Sequence, residues 1–370
     1  MKYKFISAIF MMAITGHLSL SAQKLVDKNA TKETQMLYKN LQAIQGKSIM
    51  IGHQDDTAYG IAWKYEKDQS DIKKVIGDYP AVYGWEIGHL ETGDSLSIDN
   101  IHFVKIRELM LEAYHRGGIN TVSWHLRNPF TQGSSWDVSS DKVVQSIIPG
   151  GDKHDLYIKW LDRLAAFFQS VQTKDGTLVP ILFRPFHEHT GSWFWWGEKL
   201  CTKKDYIALW QFTVTYLRDK KNVHNLLYIY SPDFVKNGQE YFDRYPGDNY
   251  VDILGQDLYH RGGKETADKY ISDVQNIMQM LSAYSQKSNK PFIFSETGAE
   301  QIPMNNWFTE VLYKAVSKDK PAYILFWRNS YETPCHFYAP YPGHPAAADF
   351  IKLKHYPDIL FESRLPAMYK

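Results

Sequence analysis

The chain has 370 residues, 44% of them hydrophobic, enough to bury a large core. Its 42 basic and 41 acidic residues nearly cancel, so neither nucleic acid nor an anionic membrane surface is expected as a partner. Two cysteines, Cys201 and Cys335, exclude a disulfide-rich scaffold, and their spacing leaves open whether they pair.

Lys2 and Lys4 precede an apolar stretch at 5–20 that is too short to span a membrane as a mature helix. Residues 1–22 therefore read as a signal peptide cut near Ser21-Ala22-Gln23. No cysteine follows the apolar stretch, so no lipid anchor is expected, and the mature chain should be exported to the periplasm or secreted. Next comes a surface helix at 31–44, with Met36, Leu37, Leu41 and Ile44 on one face. Apolar, β-prone runs then occur at 48–53, 81–87, 120–125, 179–183, 226–230, 253–258, 291–295 and 322–327. Helical periodicity appears between them at 100–116, 156–172, 204–220, 266–285 and 307–317. Strands alternating with helices predict a parallel sheet covered on both faces, and about eight such pairs predict a single (β/α)8 TIM barrel. With no repeat or linker to divide it, 23–370 reads as one domain.

Polar and aromatic residues collect where these strands end. His53-Gln54-Asp55 follows the first, Trp85-Glu86 the second and Trp124-His125 the third. Asp257, Tyr259 and His260 end the sixth, and Trp327-Arg328-Asn329 the eighth. The C-terminal face of a parallel barrel is where active sites form. The richest ending is the fourth, where 179–183 passes into Arg184, His187, Glu188 and His189 and then a loop with Trp193, Trp195 and Trp196. Its counterpart is the seventh, which ends on Ser295-Glu296. Buried strands that end on ionisable groups are inconsistent as core and point to a functional site.

Strands four and seven face each other across a barrel mouth. Two carboxyl groups about 5–5.5 Å apart are what a retaining glycosidase needs, one as acid/base and one as nucleophile. The tryptophans beside Glu188 are expected to keep it protonated as the acid. Glu296 is expected to stay ionised, with Arg184, His187 and the Tyr259 hydroxyl as candidate donors. The competing chemistry is a metal held by His187 and His189, but their spacing is not that of helical zinc peptidases and no further ligand set is apparent. No metal or cofactor is expected. Trp124, Trp195 and Trp196 suit the core as well as a site. Trp327 reads as the platform under the sugar being cleaved, with Trp193 and Trp136 as walls. The 137–155 segment, turning at Pro149-Gly150-Gly151, is the candidate wall for one end of the cleft.

Arg184-Pro185-Phe186-His187-Glu188, Thr190-Gly191-Ser192-Trp193, Phe294-Ser295-Glu296-Thr297-Gly298, Ser123-Trp124-His125 and Phe326-Trp327-Arg328-Asn329 together resemble glycoside hydrolase family 26, chiefly β-mannanases. The resemblance runs from about residue 51 to 329. It implies Glu188 as acid/base, Glu296 as nucleophile and His187 as a hydrogen-bond partner of the nucleophile. It further implies Trp193 and Tyr259 as orienting groups, Trp327 and His125 in the cleavage subsite, and Arg328 and Trp136 as further substrate-binding residues. The substrate implied is β-1,4-mannan, glucomannan, galactomannan or their oligosaccharides, cut by double displacement without a metal. Endo action and release of mannobiose from chain ends are both open, as are β-glucanase or β-xylanase activity and a catalytically inactive glycan-binding protein.

Overall fold

The computed structural model describes residues 25–333 and 335–370, so the signal-peptide expectation lies outside the described residues. Eight parallel strands carry the architecture: β1 Ile49–Gln54, β2 Val82–Glu86, β3 Ile119–Trp124, β4 Ile181–Pro185, β5 Leu226–Tyr230, β6 in two pieces (Ile253–Leu254 and Asp257–Tyr259), β7 Phe294–Gly298 and β8 Tyr323–Phe326. Each pairs with its sequence neighbour, and β8 returns to β1. The first piece of β6 pairs with β5 and the second with β7, so the sheet closes into the expected barrel.

The expected strand limits shift in ways that matter for the site. β4 begins two residues later than its apolar run, and Glu188 lies three residues beyond Pro185. β7 also starts later and runs through Glu296 instead of stopping before it. β6 breaks at Gly255-Gln256, where a Cβ on Gly255 would come within 2.6 Å of Ser295 Oγ.

Alternation sorts the strand residues into two cores. Met50, Val82, Leu182, Leu227, Ile229, Tyr323 and Leu325 fill the barrel interior, while Ile51, Tyr83, Phe183, Tyr228 and Ile324 pack outward with the helices. The first helix, Lys32–Ile44, contributes Leu37, Tyr38, Leu41 and Ile44 to the interior cluster. Thr31 caps it by accepting a hydrogen bond from the Thr34 N–H. The helix expected at 204–220 runs Lys203–Thr215 and ends in a π turn, Tyr216–Lys220. The helix expected at 266–285 extends to Lys264–Ser288. A short hairpin, Tyr59–Gly60 with Trp63–Lys64, lies in the loop after β1. A strand at Ile359–Leu360 pairs with β1. Both were too short to show a period. Cys201 and Cys335 are free thiols. Among the described residues no helix is long and apolar enough to cross a membrane.

Candidate active site

The same alternation carries β4 from Leu182, inside the barrel, to Arg184 at its mouth. Arg184 is buried and bridges two carboxylates: it donates to Asp257 Oδ2 at 2.6 Å and to Glu296 Oε2 at 2.5 Å. Tyr259, at the end of β6, donates its hydroxyl to Glu296 Oε1. Asp257 is fixed on its other side by Ser295 Oγ at 2.6 Å. Glu296 needs a further device to reach this cluster. Simple alternation from the outward Phe294 would turn Glu296 toward the helices. The pairing of β7 with β8 slips between Phe294 and Thr297, and such a bulge re-aims a side chain.

Beyond Pro185 the chain bends sharply. Phe186 and Glu188 both adopt left-handed backbone, with φ of 47° and 53°, a conformation costly for residues other than glycine. Tertiary contacts hold it. The Phe186 ring is fully buried among Trp124, Trp195, Trp196 and Trp210, and its carbonyl accepts the Tyr206 hydroxyl at 3.0 Å. The Glu188 N–H donates to the Ser231 carbonyl at 2.8 Å. The Glu188 side chain accepts the Trp193 indole N–H at 2.7 Å. Trp193 in turn lies over Gly191, where a Cβ would come within 2.3 Å of its ring.

Glu188 is held well above the usual carboxylate range, with desolvation as the first cause, as expected, and neighbouring acids adding to it. Burial raises it first, followed by the charges of Glu296, Asp257 and Asp233, while the bond from Trp193 works in the opposite direction. Trp195 and Trp196 spend their N–H groups on the Leu126 and His187 carbonyls and belong to the core. Asp233, at the exit of β5, is pushed up to about 6, mainly by burial.

His187 does not hold Glu296. Its Nε2 lies 3.2 Å from His125 Nε2, while Arg184 and Tyr259 donate to the two oxygens of Glu296. His125 Nδ1 bonds Glu86 Oε2 at 2.7 Å, and Glu86 also accepts Ser123 Oγ and the N–H groups of Gly88 and His125. Gly88 is required at this approach: a Cβ there would sit 2.5 Å from the His125 carbonyl. His125 is shifted upward, burial being outweighed by Glu86. His187 is shifted well down by burial and by Arg184, His125 and His189. His189 lies apart, between the rings of Tyr206 and Tyr230, so the two histidines do not converge on one ligand. Among the described residues no His/Cys/Asp/Glu group has metal-binding geometry.

Aromatic rings frame the mouth. Trp136, 48% exposed, stacks on His125 with centroids 5.4 Å apart, and half-buried Trp327 meets the same ring edge-on at 6.1 Å. Arg328 bonds Asp99 at 3.1 Å and the Tyr59 hydroxyl at 3.2 Å. The ten residues singled out from sequence thus fall on one face, at the ends of β3, β4, β6, β7 and β8 and in the loops beyond them. Sequence reasoning missed Glu86, Asp257, Ser295, Asp99 and Tyr59 as parts of this network. The available signal was positional for Glu86, which ends β2, and for Asp257 and Ser295, which lie in the last piece of β6 and in β7, whereas Tyr59 and Asp99 sit deeper in the loops after β1 and β2.

A closed parallel barrel with one rim carboxyl bound by an arginine and a second pushed toward its protonated form has the make-up of a barrel glycoside hydrolase. Comparison narrows this further. The profile described as glycosyl hydrolase family 26 matches residues 26–321. A mannan endo-1,4-beta-mannosidase of Bifidobacterium adolescentis is 34% identical over 88% of this chain, and one from Bacillus subtilis strain 168 is 30% identical over 70%. The chain spans 34% of the length of the former and 69% of the latter. The structure of a GH26 beta-mannanase from Bacteroides ovatus superposes with a TM-score of 0.89 at 43% identity, covering 92% of this chain and 98% of that one. The chain belongs to glycosyl hydrolase family 26.

Proposed function

We propose that this chain is a retaining β-1,4-mannanase acting on mannan, glucomannan, galactomannan or manno-oligosaccharides, with 23–370 as its catalytic unit. The observation that carries the reading is the asymmetry of the two carboxyls. Arg184 and Tyr259 both donate to Glu296, whereas Glu188 is pushed toward its protonated form by burial and by that neighbour. Glu296 attacks the anomeric carbon as Glu188 gives its proton to the leaving oxygen, and a glycosyl ester to Glu296 forms. Water then adds to the anomeric carbon while Glu188 takes back a proton, which frees Glu296. Arg184 and Tyr259 hold the nucleophile in line. Trp327 lies under the reacting sugar, His125 and His187 line its side, Trp193 orients Glu188, and Arg328 and Trp136 contact the chain on either side. The relatives named above supply the substrate class.

Reducing-sugar release from β-mannan tests the activity, and NMR of the first-formed anomer tests retention. Glu296→Ala is expected to abolish turnover on every substrate. Glu188→Ala is expected to keep reacting with aryl glycosides of good leaving group as far as the covalent intermediate. Equal loss on both substrate types would reverse or remove these roles. Early products decide the mode of action: a spread of lengths means endo cleavage, as in the named relatives, and mannobiose alone means exo cleavage. Export to the periplasm or medium is part of the proposal, and cell fractionation tests it.

A further inference from the structure

Tyr259 supplies one of the two donors to Glu296, yet little holds Tyr259 from the front. The piece of β6 that bears it, Asp257–Tyr259, is three residues long and, among the described residues, pairs as a strand with β7 alone. Its ring meets Tyr338 edge-on at 5.4 Å, and open cavities of about 260 and 290 Å³ border the residue. Support comes from behind. Alternation along the piece turns Asp257 and Tyr259 to the mouth and Leu258 and His260 toward the helices. His260 is buried, 3% exposed, and its N–H carries the ladder on to the Gly298 carbonyl at 2.9 Å. Its ring joins two further segments. Trp307, which opens the helical segment after β7, donates its indole N–H to His260 Nδ1 at 3.0 Å. His260 Nε2 lies 3.0 Å from the hydroxyl of Thr266, in the first turn of the helix Lys264–Ser288. These partners fix the protons of the ring. An indole N–H can only donate, so Nδ1 offers a lone pair and the proton sits on Nε2. That Nε2–H donates to Thr266 Oγ1, which passes its own hydrogen to the carbonyl of Arg261 or Gly263, each at 3.0 Å. The imidazole is therefore neutral, and burial lowers His260 from its ordinary value, in keeping with that form.

We propose that His260 is the positioning residue for Tyr259: its neutral imidazole, held between Trp307 and Thr266, fixes the end of β6 and so sets the Tyr259 hydroxyl on Glu296. This rests on the reading of Glu296 as the nucleophile of a retaining mannanase. The two residues share one planar peptide with Cα atoms about 3.8 Å apart, so a tilt at His260 passes directly to Tyr259. Misplacement of a group at the reacting centre by about 1 Å can cost on the order of a hundredfold in rate.

The test is a double-mutant cycle of His260→Leu with Tyr259→Phe. It is read as kcat/KM on 2,4-dinitrophenyl β-mannobioside, whose leaving group departs without a proton, so the rate reports attack by Glu296 and not the state of Glu188. Leucine fills much of the space of the ring but offers Trp307 no acceptor. In the native background His260→Leu is expected to lower kcat/KM about tenfold, and in the Tyr259→Phe background to change it by less than about twofold. His260→Asn, whose side-chain oxygen can still accept the indole N–H, should stay within about threefold of the native value. Equal falls in both backgrounds overturn the proposal, because His260 would then act on the fold at large. An unchanged value in the native background overturns it too, as does an Asn variant no better than the Leu variant. If thermal unfolding shows that His260→Leu does not fold, Trp307→Phe enters the same cycle with the same dependence on background expected, since it removes the donor and keeps a ring in the core. The mannanase reading fails separately, by inactivity of the unmutated enzyme on the aryl substrate and on β-1,4-mannohexaose.

Discussion

Replacing Trp193 by Phe keeps a ring near the cleft but removes the N–H that Glu188 accepts at 2.7 Å. That bond favours the charged carboxylate and opposes the burial that keeps the group protonated. Its loss must therefore move the protonated form to higher pH. A hydrogen bond to a charged group contributes about 1.5–3 kcal/mol, but Trp193 is 41% exposed and water replaces part of it. Taking roughly half, and about 1.36 kcal/mol per pH unit, the alkaline limb of kcat/KM should move up by about half to one unit. The assay is kcat/KM against pH on mannohexaose, whose sugar leaving group requires a proton. Loss of the indole platform lowers the height of the profile without moving its limb, so the two effects separate. A limb that stays in place or moves down would show that Glu188 is not the group that must be protonated, or that the indole bond does not tune it.

Three further substitutions probe the frame around the carboxyls. Arg184→Met leaves Glu296 and Asp257 without their shared cation in a buried site, and is expected to destabilise the fold by about 3–5 kcal/mol in urea denaturation while removing turnover. A loss under about 1 kcal/mol would mean that the ion pairs are not formed in solution. Glu86→Gln tests the pair it makes with His125. Burial would raise Glu86, but His125 and the other donors bring it below 4.5, so its contribution to stability is present above that pH and is lost as pH falls through the folded value. His125 is raised above 6.5, so its contribution is complete below that pH and is lost as pH rises through the folded value. The pair thus contributes most between about 4.5 and 6.5, and Glu86→Gln should flatten the plot of stability against pH on both sides of that window. Phe186→Ala removes the ring that anchors the bend before Glu188. It should cost about 3–5 kcal/mol and lower kcat more than it raises KM, because the acid loses its place. Thermal unfolding together with steady-state kinetics would register both effects.

Periodicity carried the barrel. Apolar runs of strand length alternating with one-faced helices allow few other closures, and the ionisable residues stood where those runs gave out, as at Phe183-Arg184 and Phe294-Ser295-Glu296. That much is local chemistry, written in the order of residue types. The aim of each group is not local. Glu296 faces the mouth because β7 slips against β8, and a slip is a relation between two strands that neither segment states alone. Glu188 is placed by left-handed backbone at Phe186 and Glu188, which no propensity favours and which four tryptophans from three separate segments hold down. His187 looked like a partner for the nucleophile, but its ring turns to His125, and Arg184 and Tyr259 are the groups that reach Glu296. Burial was the legible cause of the raised Glu188, and to it are added acids on β6, on β7 and just past β5 that only closure of the ring brings near. Residue order therefore determined which groups reach the rim. The folded ring decided which way they point and what charge they feel, because orientation and electrostatic field depend on neighbours distant in the chain.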